Sequence, residues 1–230
     1  MHRHALILTG ALSIIVLGAP ATSGAQTGFL AARLVNGGLP VTPVLAVSGG
    51  EVFLEVTVTA DGRVDSIRTL RTTPPFTGAV IEAVRGWRFM PATQTAEPST
   101  GSKDASAKPV AAPVFVAAMF APPALNGPTL GQPPQDLLSA SNETAMPAVS
   151  TPAAYPSRAV GNGTVLVEVT IDGATARTDA RIKVSSPAFD AAAMAAARSW
   201  SFLAARRQGQ VVTTHAYLLF AFREPVVVVR

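Results

Sequence analysis

The chain states one pattern twice. A shift of 113 positions (156 − 43) lays one half on the other without a gap. Pro43, Ala46, Val47, Gly50, Val52, Glu55, Val56 and Thr57 fall on Pro156, Ala159, Val160, Gly163, Val165, Glu168, Val169 and Thr170. Arg68, Pro74, Phe76, Ala79, Ala83, Arg85, Trp87 and Phe89 fall on Arg181, Pro187, Phe189, Ala192, Ala196, Arg198, Trp200 and Phe202. These sixteen identities lie within positions 43–89, where chance gives only a few. Such self-similarity predicts two copies of one small unit. The repeated residues are apolar positions, turn residues and a Trp, so the copied object is a fold and not a catalytic constellation.

The length of 230 residues suits this reading. With the N-terminus removed on export, it leaves two units of roughly 80–90 residues, near the lower size at which a domain holds its own core. Met1-His2-Arg3-His4 is a short basic start, Ala5 to Val16 is apolar, and Ser23-Gly24-Ala25 before Gln26 fits a cleavage site. Residues 1–25 therefore read as a signal peptide. The competing reading is a retained anchor over residues 5–21, at the short end of what spans a bilayer. With no Cys there are no disulfides and no thiolate chemistry, which suits a bacterial periplasm or cell envelope. The net charge is only +4, and Arg206-Arg207 is the one adjacent basic pair, so there is no stripe for nucleic acid.

Each copy has the same plan. From Glu51 to Thr59, Val52, Leu54, Val56 and Val58 alternate with Phe53, Glu55 and Thr57, the pattern of a half-buried strand. Asp61-Gly62 predicts a two-residue type I′ hairpin, and Arg63–Arg71 a returning strand. After Pro74-Pro75, Gly78–Arg85 reads as a short helix presenting Val80, Ala83, Val84 and Trp87, and Val110–Phe120 as the third strand. In the second copy the strands fall at Thr164–Ile171, Arg177–Val184 and Thr213–Phe222. Its helix runs from Ala191 to Ser199, with Asp190 as its cap. Connection rules give strand order 2-1-3 with the helix on one face, leaving the third strand as an edge. The fold class expected is α+β: two tandem two-layer ββαβ domains, each a three-stranded antiparallel sheet under one helix. The first domain spans 38–120 and the second 153–225. The Pro-rich stretch 121–152 between them reads as a linker that lets the domains sit roughly 30 Å apart.

The ordered set of Tyr155-Pro156, Gly163, Val165–Asp172, Ser185-Ser186-Pro187, Phe189-Asp190, Ala196, Arg198–Phe202 and Leu218–Phe222 resembles the TonB C-terminal domain family. The first copy matches through Gly50–Val58, Asp61-Gly62 and Ala83–Ala92. The resemblance implies a periplasmic α/β domain that binds an extended segment of an outer-membrane transporter and serves transport across the envelope. The sequence departs from an energy transducer of that family. His4 lies outside the apolar run, only about 20 residues separate Gln26 from the first domain, and the domains come in tandem.

An exposed edge strand offers unpaired N–H and C=O groups to an incoming peptide. In the second copy Leu218, Phe220 and Phe222 are expected to face the helix. His215, Tyr217, Leu219 and Ala221 are expected to face outward and contact the partner, an outer-membrane TonB-dependent transporter or another envelope protein. The alternative is a structural envelope protein whose tandem domains pair with each other or with further copies, as a homo-oligomer. Whether the third-strand edges are free or covered separates the two. Trp87 and Trp200 are expected in the core, and Glu55 and Glu168 on an open sheet face, with Glu55 opposite Arg68. No paired carboxylates, phosphate loop or His cluster points to an enzyme, a metal or a small-molecule cofactor, and His215 alone makes no metal site.

Overall fold

The computed structural model describes residues 28–43, 46, 48–95, 107–123 and 143–225. The expected signal or anchor therefore lies outside the described residues, as do residues 124–142 of the expected linker and 96–106 of the first copy's loop. The elements in chain order are β1 (Phe29–Leu30), β2 (Arg33–Asn36), β3 (Gly50–Val58), β4 (Val64–Arg71), α1 (Phe76–Arg85), β5 (Arg88–Met90), β6 (Ala92–Thr95), β7 (Ala107–Val110) and β8 (Ala112–Phe120). They continue with β9 (Met146–Val149), β10 (Gly163–Ile171), β11 (Thr178–Val184), α2 (Asp190–Ser199), β12 (Ser201–Leu203), β13 (Ala205–Arg207), β14 (Gln210–Val212) and β15 (Thr214–Phe222). The fold is α+β, and among the described residues no helix is long and apolar enough to cross a membrane.

Within each copy the strands lie in the order expected, second, first, third: β4-β3-β8 and β11-β10-β15. The expectation of two separate three-stranded sheets is overturned. The third strands β8 and β15 pair in parallel, from Phe115↔Ala216 to Phe120↔Ala221, and fuse both copies into one six-stranded sheet, β11-β10-β15-β8-β3-β4. The physical reason is in their composition. Val114–Phe120 and Ala216–Phe222 are apolar on both sides of the strand, which suits a position buried on both faces rather than an edge.

The register of that parallel pair decides where the helices go. By structural role Phe120 matches Phe222, since each stacks on the first-turn Phe of its own copy's helix segment, Phe76 at 4.3 Å and Phe189 at 4.7 Å. Yet Phe120 is paired with Ala221, one residue away. Side chains alternate with period two, so a one-residue offset turns one copy over relative to the other. The helices consequently cover opposite faces. One core holds Val52, Leu54, Val56, Phe120 and the α1 residues Phe76, Val80 and Val84, together with Leu166, Tyr217, Leu219 and Ala221 of the second copy. The other holds Val165, Val167, Phe220, Phe222 and the α2 residues Ala193, Ala196 and Ala197, together with Phe53, Phe115, Ala117 and Met119 of the first. Gly50 and Gly163 begin equivalent strands, and a methyl at either would run into the Phe76 or Phe189 ring.

Local details correct three further expectations. The first hairpin has a three-residue loop, Ala60-Asp61-Gly62, closed by Thr59 N–H to Arg63 O (2.9 Å), with Gly62 alone at positive φ (+79°). A register shift between Thr57 and Val58 then restores Glu55 opposite Arg68. Asp190 is inside α2 and does not cap it. Its carboxylate accepts from the Ser186 N–H (2.8 Å) and the Ser185 hydroxyl (2.6 Å), as the Thr77 hydroxyl accepts from Thr73 N–H (2.9 Å) at the matching place in the first copy. Finally, residues 146–149 of the stretch read as linker form β9, which pairs with β12 just as β2 pairs with β5. The 113-residue shift extends to these ribbons: Arg33↔Met90 and Leu34↔Phe89 become Met146↔Leu203 and Pro147↔Phe202.

Candidate functional site

The six-stranded sheet has two half-faces, one in each copy, that the copy's own helix does not cover. The partner copy covers them. After each helix comes the repeated Trp-x-Phe, at Trp87–Phe89 and Trp200–Phe202, and it reaches the other copy's open half. Trp200 meets Phe53 at 6.0 Å and Phe202 meets Phe115 at 6.3 Å, ring centre to ring centre. On the opposite face Trp87 and Phe89 meet Tyr217 edge-on, at 5.9 and 5.8 Å. Each indole N–H donates to the same relative carbonyl, Trp87 to Gly38 O (2.9 Å) and Trp200 to Thr151 O (2.8 Å). Both Trp residues are buried, as expected, and the contact between copies is what the repetition preserves.

The four residues expected to meet a partner lie on β15, which is bonded on both sides. β10 flanks it from Gly163↔Phe222 to Ile171↔Thr214, and β8 flanks it opposite. Leu218, Phe220 and Phe222 face α2 as expected. Tyr217, Leu219 and Ala221 do face the other way, but that face is interior and all three are buried. His215 lies before the ladder with β8 begins, half-buried, its Nδ1 at 3.2 Å from the Thr170 hydroxyl. The expected edge is therefore not free in this fold. The edge strands of the six-stranded sheet are β4 and β11. The missed signal was legible: an amphipathic edge strand alternates, and this one does not.

The strongest polar cluster sits on the second copy's covered half-face. Glu168, expected in the open, is only 2% exposed. Its carboxylate accepts from Arg33 Nε (3.2 Å), pairs with Arg33 Nη2 (3.2 Å) and lies 3.6 Å from Lys183 Nζ. Lys183 Nζ also donates to Leu34 O (2.9 Å), and Leu34 N–H donates to the Tyr217 hydroxyl (2.7 Å). Burial pushes the Tyr217 hydroxyl well above its ordinary pKa, so it stays protonated. Burial also lowers the His215 pKa, against the opposing pull of Glu168, and the cations Arg33, Lys183 and Arg181 lower it further. The first copy has a plainer version. Glu55 pairs with Arg68 (2.8 Å) and accepts from the Thr144 hydroxyl (2.9 Å). Among the described residues, no group of three or more His, Asp or Glu side chains gathers as metal ligands do.

A family model described as Gram-negative bacterial TonB protein C-terminal matches residues 46–105 and 151–223, once on each copy. A search of curated proteins finds no match.

Proposed function

The chain belongs to the TonB C-terminal family, and from that premise we propose that it is a periplasmic TonB-like binding protein whose two copies are paired with each other through their third strands. One observation carries the reading: the β8–β15 ladder, which fills the strand edge that each copy would offer alone. The ladder supports the structural alternative, in which the tandem copies pair with each other. The other reading is recognition of an extended outer-membrane transporter segment by strand addition at β15. It requires β8 to leave first, because an inner strand has no free N–H or C=O row.

A reversible lock separates the two. The protein has no Cys, so an Ala117→Cys, Leu218→Cys double variant introduces a single possible bridge across the directly paired positions of β8 and β15. The variant is exported and used oxidised and reduced to capture partners from the envelope. Self-pairing as the working state gives equal capture in both forms. Capture that appears only after reduction means that β15 must open, and makes strand addition there the function.

A further inference from the structure

The polar cluster at Glu168 has the parts of a peptide-binding site, and the chain's own N-terminal strand is its occupant. The grip has three components. Tyr217 and Lys183 take the N–H and the C=O of one residue, Leu34, through side chains, at 2.7 and 2.9 Å. A backbone unit held at both ends this way can belong to any residue. Glu168 takes the guanidinium of the preceding residue with a bifurcated contact at 3.2 and 3.4 Å from Nε. The Leu34 side chain, 2% exposed, goes into the apolar layer with Trp87 and Phe89, while β5 pairs with the backbone alongside. Together these read an extended Arg followed by an apolar residue.

The equivalent place in the first copy joins the copies without a counterpart of Arg33, Lys183 or the Tyr217 hydroxyl. There Met146 stands for Arg33, Leu70 for Lys183 and Phe115 for Tyr217, and the ribbon packs on apolar side chains, with the Thr144 hydroxyl donating to Glu55 (2.9 Å) beside it. Buried ion pairs add little stability over apolar packing, and their best-attested use is in specifying or switching a contact. The burial is also one-sided: Glu168 is 2% exposed but Arg33 44%. The acceptor belongs to the folded body, and the donor arrives on a four-residue strand that Gly37-Gly38 follows.

We propose that this half-face, built from Glu168, Lys183, Tyr217 and the edge of β5, is a binding site for an extended segment of a partner protein carrying Arg followed by an apolar residue, and that Arg33-Leu34 occupies it as a displaceable internal ligand. The idea rests on reading the chain as a binding protein and on the copies staying packed together, but not on strand addition at β15, so it can fail while that reading stands.

The probe is a labelled peptide copying residues 28–38, titrated into the full exported chain and followed by fluorescence anisotropy. Arg33→Ala weakens the internal competitor and should tighten peptide binding at least tenfold over wild type. Adding Glu168→Gln should abolish that gain, a peptide with Ala in place of its Arg should not bind, and adding Glu55→Gln in the first copy should change nothing. If Arg33→Ala loses native hydrogen-exchange protection, Arg33→Lys takes its place in the same comparison. Absence of saturable binding to the folded Arg33 variant overturns the proposal, and so does binding that is indifferent to Glu168→Gln.

Discussion

Trp200 serves two copies at once. Its ring is 2% exposed, stacks at 5.9 Å on Phe202 and meets Phe53 of the other copy, and its N–H satisfies Thr151 O. Trp200→Ala empties an aromatic core site and leaves that carbonyl without its donor, so it should lower stability by about 3–5 kcal/mol, read as a shifted denaturant midpoint. A near-native midpoint would mean that the indole is dispensable to the core. His215 gives a second test. Its folded-state pKa lies below the ordinary 6.5, so the unfolded chain binds its proton first on acidification. The contribution is complete above the ordinary His value and is lost as pH falls from about 6.5 towards the depressed native value. Burial raises the Glu51 pKa, which acts oppositely in mildly acid solution, so the informative quantity is the difference between wild type and His215→Gln. Wild type should lose more melting temperature than His215→Gln between pH 7 and pH 5. Parallel curves would show that the imidazole titrates alike in the folded and unfolded chain, so that burial does not depress its pKa.

At the scale of elements, apolar patterning made the six long strands readable to within a few residues, and the Pro and Gly breaks placed both helices, while short ribbon strands such as β2, β5, β9 and β12 went unread. The order of strands within each copy followed from connection rules alone. What the sequence did not disclose was the neighbour of the third strand, because pairing between copies leaves no local signature. Its composition did carry a hint, since Phe115, Ala117 and Met119 are as apolar as the residues between them. The candidate site suffered the same fate: Glu168 reads as exposed when one copy is considered, and becomes buried only when the other copy's Arg33 arrives. The inner position of β15 changes the meaning of a proline test. Leu219 is paired with both Leu166 and Ala118, so Leu219→Pro removes a ladder donor from a strand with neighbours on each side. It should yield a chain without native tertiary signal in near-ultraviolet circular dichroism. A folded Leu219→Pro protein would place β15 at an edge after all and reopen strand addition there.

For the whole molecule, the fused sheet makes cooperativity the decisive property. Two domains tethered by a linker melt independently, and removing the tether frees them. Here the copies share the β8–β15 ladder, two apolar cores that each draw on both halves, and the Arg33–Glu168 pair, so neither half keeps its buried surface when the other unfolds. Separating them would uncover Tyr217, Leu219, Phe53 and Phe115, and burial of each such large side chain is worth about 1.5–3 kcal/mol. That sum is comparable with the whole stability of a small domain. A single calorimetric transition should result, with van 't Hoff and calorimetric enthalpies equal. A protease site placed within residues 124–142 provides the sharper check, because it cuts the covalent connection and leaves every described strand intact. The nicked protein should still migrate as one particle in size exclusion and should melt lower at low concentration than at high, since its two fragments now have to find each other. Two fragments eluting separately while each keeps a native circular dichroism spectrum would show that the copies are independent domains, and that the shared sheet is not what holds the protein together.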